Sequence, residues 1–340
     1  MKQNFVNQLG FGSKGYSLLL DKKNSNYFFI SGENKSHYII KKKIRTYFKK
    51  KIGSIKIGQD RNSEQSILRL IKNLKNKKFN TIIVSGGGSV IDYSKRIIFE
   101  IRKSKKNFEF IVFPSYPGSG AETSIASILN YNDQKNIKVN ENFLPHKVIY
   151  DTEMYLSLSK NKIFKGLNDS IAHCLESLYS FNKNTYSNFL GINSIRIFIR
   201  DIINNKKFDT NFFNLISLLS FNGGLAQSNS GTNLCHALAH AAEKITKIKH
   251  NECVTFFLYP YVLYMHRNKK LIKFFDKKEI NKLKQYFKEE HNKCSKKLKE
   301  LINNKEQFNN LILLARNDIC WRLYDGKINL KVLKESILDA

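Results

Sequence analysis

The stretch Thr81-Ile82-Ile83-Val84-Ser85-Gly86-Gly87-Gly88-Ser89 constrains the fold more than any other part of the chain. A short apolar run ended by a glycine turn reads as a strand buried on both faces. The residues that follow, through Ile101, read as a helix. Strand, tight turn and helix in direct succession form the building unit of a parallel sheet, whose faces must be covered by helices. The neighbouring segments repeat the alternation. Phe11 to Gly15 look like a turn opening a helix to about Asp21, Tyr27-Phe28-Phe29-Ile30 like a buried strand, and His37 to Lys51 like a helix. Ile55-Lys56-Ile57 reads as a short strand, Ser63 to Asn76 as an amphipathic helix, and Phe108 to Phe113 as another strand. The expected first half is therefore an α/β domain with a parallel sheet.

Near Asp151 the pattern changes, and residues 161–340 show long helical stretches with few turn signals. In a chain of 340 residues this predicts two domains, an α/β nucleotide-binding domain over 1–155 and an all-helical domain over 156–340. The charged stretch Lys278 to Lys305 reads as surface helices of the second domain. Most of the 25 phenylalanines read as core.

The net charge is +30, which raises the possibility of a polyanionic partner. The lysines are spread along the whole chain among many Asn and Ile residues, so a solvated basic surface is expected, not a nucleic-acid footprint. Runs such as Lys41-Lys42-Lys43 and Lys49-Lys50-Lys51 read as exposed loop or helix-end charges. Such a field would also draw in an anionic cofactor or substrate. Five cysteines at irregular spacing suggest free thiols in a reducing compartment. The start of the chain has no apolar signal region, and the longest apolar run, Val254 to Met265, is broken by Pro260. It is too short to span a bilayer. A cytoplasmic protein without a membrane partner is expected.

Two regions carry chemistry. The first is the glycine turn. Glycines permit close approach of a phosphate to backbone N–H groups, and the helix that follows adds its dipole and free donors. Gly87, Gly88, Ser89 and Asp92 are the candidate contacts. A second loop, Pro114 to Glu122, follows the next strand, and hydroxyls of Ser115 and Ser119 are placed to bond a ribose, phosphate or carboxamide. In such sheets ligands bind at the carboxyl ends of the strands. The second region runs from Gly166 to Cys253 and holds four of the eight histidines. Asp169 and His173 share a helical face at i,i+4, as do His236 and His240, and His250 follows. A carboxylate with several imidazoles suits Fe²⁺ or Zn²⁺. Cys174 and Cys235, each beside one of these histidines, are alternative thiolate donors.

Taken in order, these motifs resemble the iron-containing (group III) alcohol dehydrogenase family of the dehydroquinate synthase-like superfamily. Gly86-Gly87-Gly88-Ser89-Val90-Ile91-Asp92-Tyr93-Ser94-Lys95 is similar to its Gly-Gly-Gly-Ser-x-x-Asp-x-x-Lys, and Pro114 to Glu122 to its Pro-Thr-Thr-Ala-Gly-Thr-Gly-Ser-Glu. Asp169-Ser170-Ile171-Ala172-His173-Cys174-Leu175-Glu176 is similar to Asp-Ala-x-x-His-x-x-Glu, and His236, His240 and His250 to its closing histidine motifs. The resemblance covers about residues 8 to 265, and the chain resembles a short member. It implies a nucleotide-binding domain, an all-helical metal domain and an active site in the cleft between them. It gives the metal-ligand roles to Asp169, His173, His236 and His250, and makes His240 a proton-relay or substrate-side group. It makes Lys135 a contact to the nicotinamide end, with Lys138 competing for that place, and implies a homodimer or larger assembly.

The departures from the family pattern bear on specificity. Ser115-Tyr116 replaces two threonines and Pro117 an alanine, so Tyr116 would reshape the nicotinamide pocket. Ala241-Ala242-Glu243 replaces Pro-Leu-Gly, and Asn251 replaces a glycine. After the first predicted strand Gly32 stands where many NAD-preferring members carry an aspartate, which favours NADPH over NADH, with Lys35 near enough to attract the 2′-phosphate. The resemblance implies NAD(P)H-linked hydride transfer to a small aldehyde or ketone; a cationic cleft suggests an anionic one of the phosphonoacetaldehyde kind, and a polyol or simple alcohol is equally allowed by the motifs. The alternatives are a dehydroquinate-synthase-like or glycerol-1-phosphate dehydrogenase-like enzyme and, further off, a basic nucleic-acid-binding protein.

Overall fold

The computed structural model describes residues 6–33, 36–58, 64–75, 77–103, 107–131, 134–205 and 207–340. The chain divides into two compact units. One comprises Met1–Ile163 with Asp209–Gly224, the other Phe164–Phe208 with Leu225–Ala340. The division is thus not a single cut, because residues 209–224 return to the first unit.

In the first unit, β1 (Gln8–Phe11) leads into a 3-10 helix (Ser13–Lys22) and then β2 (Asn26–Ser31). Helix α1 (His37–Ile44) is followed by β3 (Lys50–Lys56), α2 (Glu64–Lys75), β4 (Thr81–Gly86), α3 (Gly88–Arg102) and β5 (Glu109–Pro114). Strands β6 (Ala126–Tyr131) and β7 (Gln134–Val139) form a separate antiparallel hairpin, and β8 (Lys147–Tyr150) completes the unit's main sheet. That sheet has the order β1-β8-β5-β4-β2-β3, with every pair parallel. The expected parallel α/β architecture is present. Val84, Ile82, Phe110 and Val112 of the central strands are fully buried with Ile91, Ile97 and Ile98 of α3 in one core cluster, as expected for strands covered on both faces.

Two readings are corrected. The helix expected over His37 to Lys51 ends at Ile44, and its last residues instead open β3. Lys50 and Lys51 are exposed on this edge strand, where lysines oppose edge-to-edge pairing. They are neither loop nor helix-end charges. Strands β1 and β8 each have four residues and carry no alternation long enough to mark them.

The second unit is helical. It holds α4 (Lys160–Ser177) from Phe164 onward, α5 (Thr185–Ile197) with a π-helical turn (Phe198–Ile202), and the end of α6 (Thr210–Ser230). Then come α7 (Leu234–Thr246), α8 (His250–Arg267), α9 (Lys277–Asn292), α10 (Lys296–Asn303), α11 (Lys305–Asn317), α12 (Ile319–Arg322) and α13 (Leu330–Leu338). Helix α8 runs through Pro260, and every residue from Cys253 to Met265 is buried. Among the described residues no helix is long and apolar enough to cross a membrane. All five cysteines are buried and none forms a disulfide.

Candidate metal centre and nucleotide cradle

Helix α4 presents Asp169, His173 and Glu176 at i, i+4 and i+7, which places them on one face. Helix α7 presents His236 and His240, and His250 is the first residue of α8. The three helices bring one carboxylate oxygen and three imidazole nitrogens together. Asp169 Oδ1 lies 3.5 Å from His173 Nε2, 3.3 Å from His236 Nε2 and 3.9 Å from His250 Nε2. A tetrahedral ion with bonds near 2.1 Å holds its ligand atoms about 3.4 Å apart. Asp169 Oδ1 and His236 Nε2 are buried without a hydrogen-bond partner. Orphaned buried polar atoms aimed at a common point are costly unless a cation joins them, so the donor set fits a divalent ion. Asp169, His173 and His236 are buried, whereas the His250 side chain is 34% exposed, so the cluster opens on that side.

Electrostatics fit the same occupant. Burial would raise the Asp169 carboxyl, but the His173, His236 and His250 imidazoles hold it well below the usual range. Burial pushes His173 down to about 3, with the neighbouring imidazoles adding to the shift and Asp169 opposing it. His236 is pulled the other way. Against burial, Glu176 and Asp169 raise it to about 10. The ion would take the place of that proton.

Glu176 orders the cluster from the Nδ1 side of the His236 ring. Its Oε2 meets His236 Nδ1, and its Oε1 accepts from the backbone N–H of Asn233 (2.9 Å) and of His236 (3.1 Å). The carboxylate therefore fixes the His236 ring and satisfies donors at the start of α7. No role was expected for Glu176 beyond its motif position. Its partner is 60 residues away, and that pairing has no local signal. His240 lies beside the cluster, its ring centroid 5.2 Å from that of His250 and 5.9 Å from that of His236. Its Nδ1 is 2.9 Å from Asp318 Oδ2, a contact equally invisible in the sequence. Cys174 and Cys235 do not join the group. The Cys235 thiol donates to the Val254 carbonyl, and burial pushes Cys174 up to about 12.

The first unit holds the glycine turn at the carboxyl end of β4. A Cβ on Gly86 would lie 2.4 Å from Val90 Cβ, and one on Gly88 2.8 Å from Ser119 Cβ. The turn therefore closes only with glycine at both places. Gly87 caps α3 in an extended conformation, and Ser89 is exposed in the first turn of that helix. The second loop packs beside it, with Ser115 N–H donating to the Gly86 carbonyl and Tyr116 Cβ 3.5 Å from where a Gly87 Cβ would stand. The Tyr116 hydroxyl donates to the Lys162 carbonyl. Ser115 is buried and Ser119 half-buried. The helix dipole, the Gly88 and Ser89 N–H groups at the start of α3 and the room at Gly87 suit an anionic phosphate, while the Val90 N–H already donates to the Gly87 carbonyl.

Two expected contacts have partners inside this unit. Asp92 faces the fully buried Lys95 at 3.6 Å, and the Lys95 ammonium also donates to the Ser124 and Ala126 carbonyls. The Asp92 carboxyl is raised to about 6 by burial, with Lys95 opposing the rise. This pair ties α3 to the start of β6. At the end of β2, Gly32 donates to the Ser85 carbonyl, and a Cβ there would come within 3.2 Å of His37 Nε2 and 3.3 Å of Val90 Cγ2. Gly32 thus abuts the glycine turn. Lys35 lies outside the described residues, but Lys41 and Lys56 both stand over the exposed Tyr38 ring, at 5.2 and 5.8 Å. Glu33 reaches instead over Gly58. Lys135 lies in β7 opposite Asn130, and Lys138 is exposed opposite Ser127.

Residues 17–152 match the model of the iron-containing alcohol dehydrogenase family, and residues 163–315 match that of the family's C-terminal part. A 4-hydroxybutyrate dehydrogenase of Clostridium kluyveri is 24% identical over 232 residues, which are 63% of this chain and 62% of that protein. An alcohol dehydrogenase of Thermococcus barophilus is 23% identical over 278 residues, 75% of this chain and 73% of the relative. Among solved structures, a sulfoacetaldehyde reductase of Bifidobacterium kashiwanohense in complex with NAD+ superposes with a TM-score of 0.83 at 14% identity, covering 99% of this chain and 98% of the other. A maleylacetate reductase of a Rhizobium species gives 0.81 at 17% identity, covering 100% and 98%. At such identities the likeness shows a shared fold.

Proposed function

Since the chain belongs to the iron-containing alcohol dehydrogenase family, we propose that it is a metal-dependent, NAD(P)H-linked alcohol dehydrogenase that reduces a small aldehyde or ketone. The observation that carries this reading is the convergence of His173, His236 and His250 Nε2 on Asp169 Oδ1. These four residues would hold Fe²⁺ or Zn²⁺, which supplies a Lewis acid for a carbonyl oxygen. Gly87, Gly88 and Ser89 would hold the pyrophosphate of the nucleotide, whose nicotinamide provides the hydride. Ser115, Tyr116, Ser119 and Lys135 are the proposed contacts nearer the nicotinamide. His240 would give the proton that turns the alkoxide into the alcohol.

The proposed nucleotide is NADPH. Gly32 offers no carboxylate against a 2′-phosphate and has no room for one. Lys41 and Lys56 put two ammonium groups around Tyr38, beyond the end of the same strand. The proposed substrate is a small anionic aldehyde of the phosphonoacetaldehyde kind. The charge of +30 favours an anion, and three of the similar proteins are named for anionic compounds, 4-hydroxybutyrate, sulfoacetaldehyde and maleylacetate.

The test is anaerobic purification and metal analysis, followed by NADPH and NADH oxidation with a panel of small aldehydes that includes phosphonoacetaldehyde, sulfoacetaldehyde and neutral ones of similar size. One metal ion per chain and NADPH oxidation, both lost in His250→Ala, are expected. Preference for neutral aldehydes would remove the anionic reading. Metal and nucleotide binding with no net NADPH consumption would move the chain toward the dehydroquinate-synthase-like reaction.

A further inference from the structure

The side of His240 away from the metal ligands is built to a degree that a solvent-facing proton donor does not need. Asp318 precedes α12 and uses both carboxylate oxygens. Its Oδ1 accepts the backbone N–H of Cys320 at 2.8 Å, which pins the rotamer, and its Oδ2 takes His240 Nδ1 at 2.9 Å. Cys320 Sγ is in turn 3.3 Å from the Thr232 hydroxyl, so the segment carrying Asp318 is anchored on its far side as well. A carboxylate accepts only, so the imidazole nitrogen facing it carries the proton. The other nitrogen, Nε2, points away from the carboxylate, on a ring flanked by the rings of His236 and His250.

We propose that Asp318 is a positioning residue that holds His240 in the Nδ1–H tautomer and so directs Nε2 to the substrate oxygen. The inference rests on the reading of His240 as the proton-transfer group. In alcohol oxidation the hydroxyl proton would pass to the Nε2 lone pair of His240, and the bound oxidised nucleotide would take the hydride from the carbinol carbon. The resulting imidazolium keeps its Nδ1–H on Asp318, which stays ionised. In reduction the bound NADPH would supply the hydride to the carbonyl carbon, and the Nε2–H of the imidazolium would deliver the proton to the oxygen that gains the electron pair. His240 is left neutral in the same tautomer and takes its next proton from water. Without the carboxylate the ring is free to carry its proton on Nε2, and the lone pair then faces the wrong way.

The same atoms allow a different role. His240, Asp318 and Cys320 offer an imidazole, a carboxylate and a thiol within 4.8 Å of one another, a set able to hold a second ion. The 2.9 Å separation of Nδ1 and Oδ2 is that of a hydrogen bond, shorter than the roughly 3.4 Å between ligands of one tetrahedral ion.

The experiment uses zinc-loaded full-length protein labelled with ¹⁵N at its eight histidines. Nitrogen shifts then report which ring nitrogen of His240 is protonated, whether or not a substrate is known. The wild type should show Nδ1–H. Asp318→Asn keeps a helix-capping oxygen but turns an N–H donor toward the ring, and should show Nε2–H with unchanged metal content. Should that variant not fold, Asp318→Ser keeps a capping oxygen and should lose the Nδ1–H preference. In turnover assays kcat of Asp318→Asn should fall about a hundredfold, within the range of a lost acid–base group, with KM changed less than about threefold. The same substitution made on His240→Ala should cost nothing more. Identical tautomers in wild type and variant, or additive losses, would overturn the proposal. So would a second equivalent of metal that disappears in Cys320→Ser. Absence of turnover in the wild type would count against the dehydrogenase reading alone, because the tautomer measurement still decides the role of Asp318.

Discussion

The two candidate sites of this protein are built by opposite means. The proposed nucleotide cradle uses main chain from one short stretch, Gly86 to Ser89, and depends on side chains being missing there. The proposed metal centre uses side chains of α4, α7 and α8, drawn from positions 169 to 250, and depends on each being present. The difference teaches where each site can fail. A cradle of backbone N–H groups tolerates many neighbours but no added Cβ at its tight points, and the second loop can carry Tyr116 and Pro117. A donor set around an ion has no spare member, and losing one leaves the remaining charges buried and unpaired.

Four substitutions break or sharpen this contrast. The largest effect is expected from His236→Ala, which removes a ligand and the partner of both Asp169 and Glu176. Metal content should fall, and activity should drop about a thousandfold or more, the equivalent of several kcal/mol of lost Lewis-acid stabilisation. Retention of both metal and activity would remove the assigned donor set.

His37, which lies against the cradle, gives the next effect through pH. Its Nδ1 is 2.8 Å from the Ser85 hydroxyl, and burial, helped by Lys41, pushes its pKa down to about 4. Unfolded chains protonate histidine near pH 6.5, so between roughly pH 6.5 and 4 the unfolded state binds the extra proton. Stability should therefore be complete above about pH 6.5 and decline as the pH falls, by about 3 kcal/mol from this group at pH 4. Urea midpoints measured across that window should show a flatter dependence in His37→Gln than in the wild type. Parallel curves would mean that the buried imidazole does not report on the fold of the cradle.

Gly86→Ala tests the absent side chain directly. Its Cβ would stand 2.4 Å from that of Val90, and overpacking of this order costs about 1–3 kcal/mol. A lowered melting temperature and weaker NADPH binding, with the metal content of the second unit unchanged, are expected. Loss of metal in this variant would show that the two sites are not independent.

The smallest effect belongs to Glu176→Gln. It keeps the volume but leaves one oxygen where the carboxylate offers two, to the His236 ring and to the backbone N–H groups of Asn233 and His236, so metal affinity measured by chelator competition should fall about 10–100-fold. A loss as complete as that of His236→Ala would make Glu176 a ligand, and no loss would make it part of the helix packing alone.

What could be read in advance depended on the range of the interactions. Thr81 to Gly88 announced a strand, a turn and a helix because each is marked by neighbours within a few residues. The same holds for the i,i+4 pairs Asp169–His173 and His236–His240. Strands β1 and β8 were not legible, since four residues make too short a pattern. Lys50 and Lys51 looked like loop, as Lys49 is, because only the sheet order shows that they lie on an edge. Gly32 was marked by its position after an apolar run, but its steric neighbour His37 was not.

The sequence by itself determined the parallel α/β first half, the helical second half and the glycine turn, because periodicity and spacing are local properties, and its resemblance to a family supplied the candidate ligands. Tertiary structure alone decided that Asp169 Oδ1 faces three imidazoles, that Glu176 holds His236 and that Asp318 holds His240. Apart from the i,i+4 pair Asp169–His173, those contacts join residues 60 to 81 positions apart, and side chains that far apart meet only where the packing of whole helices puts them.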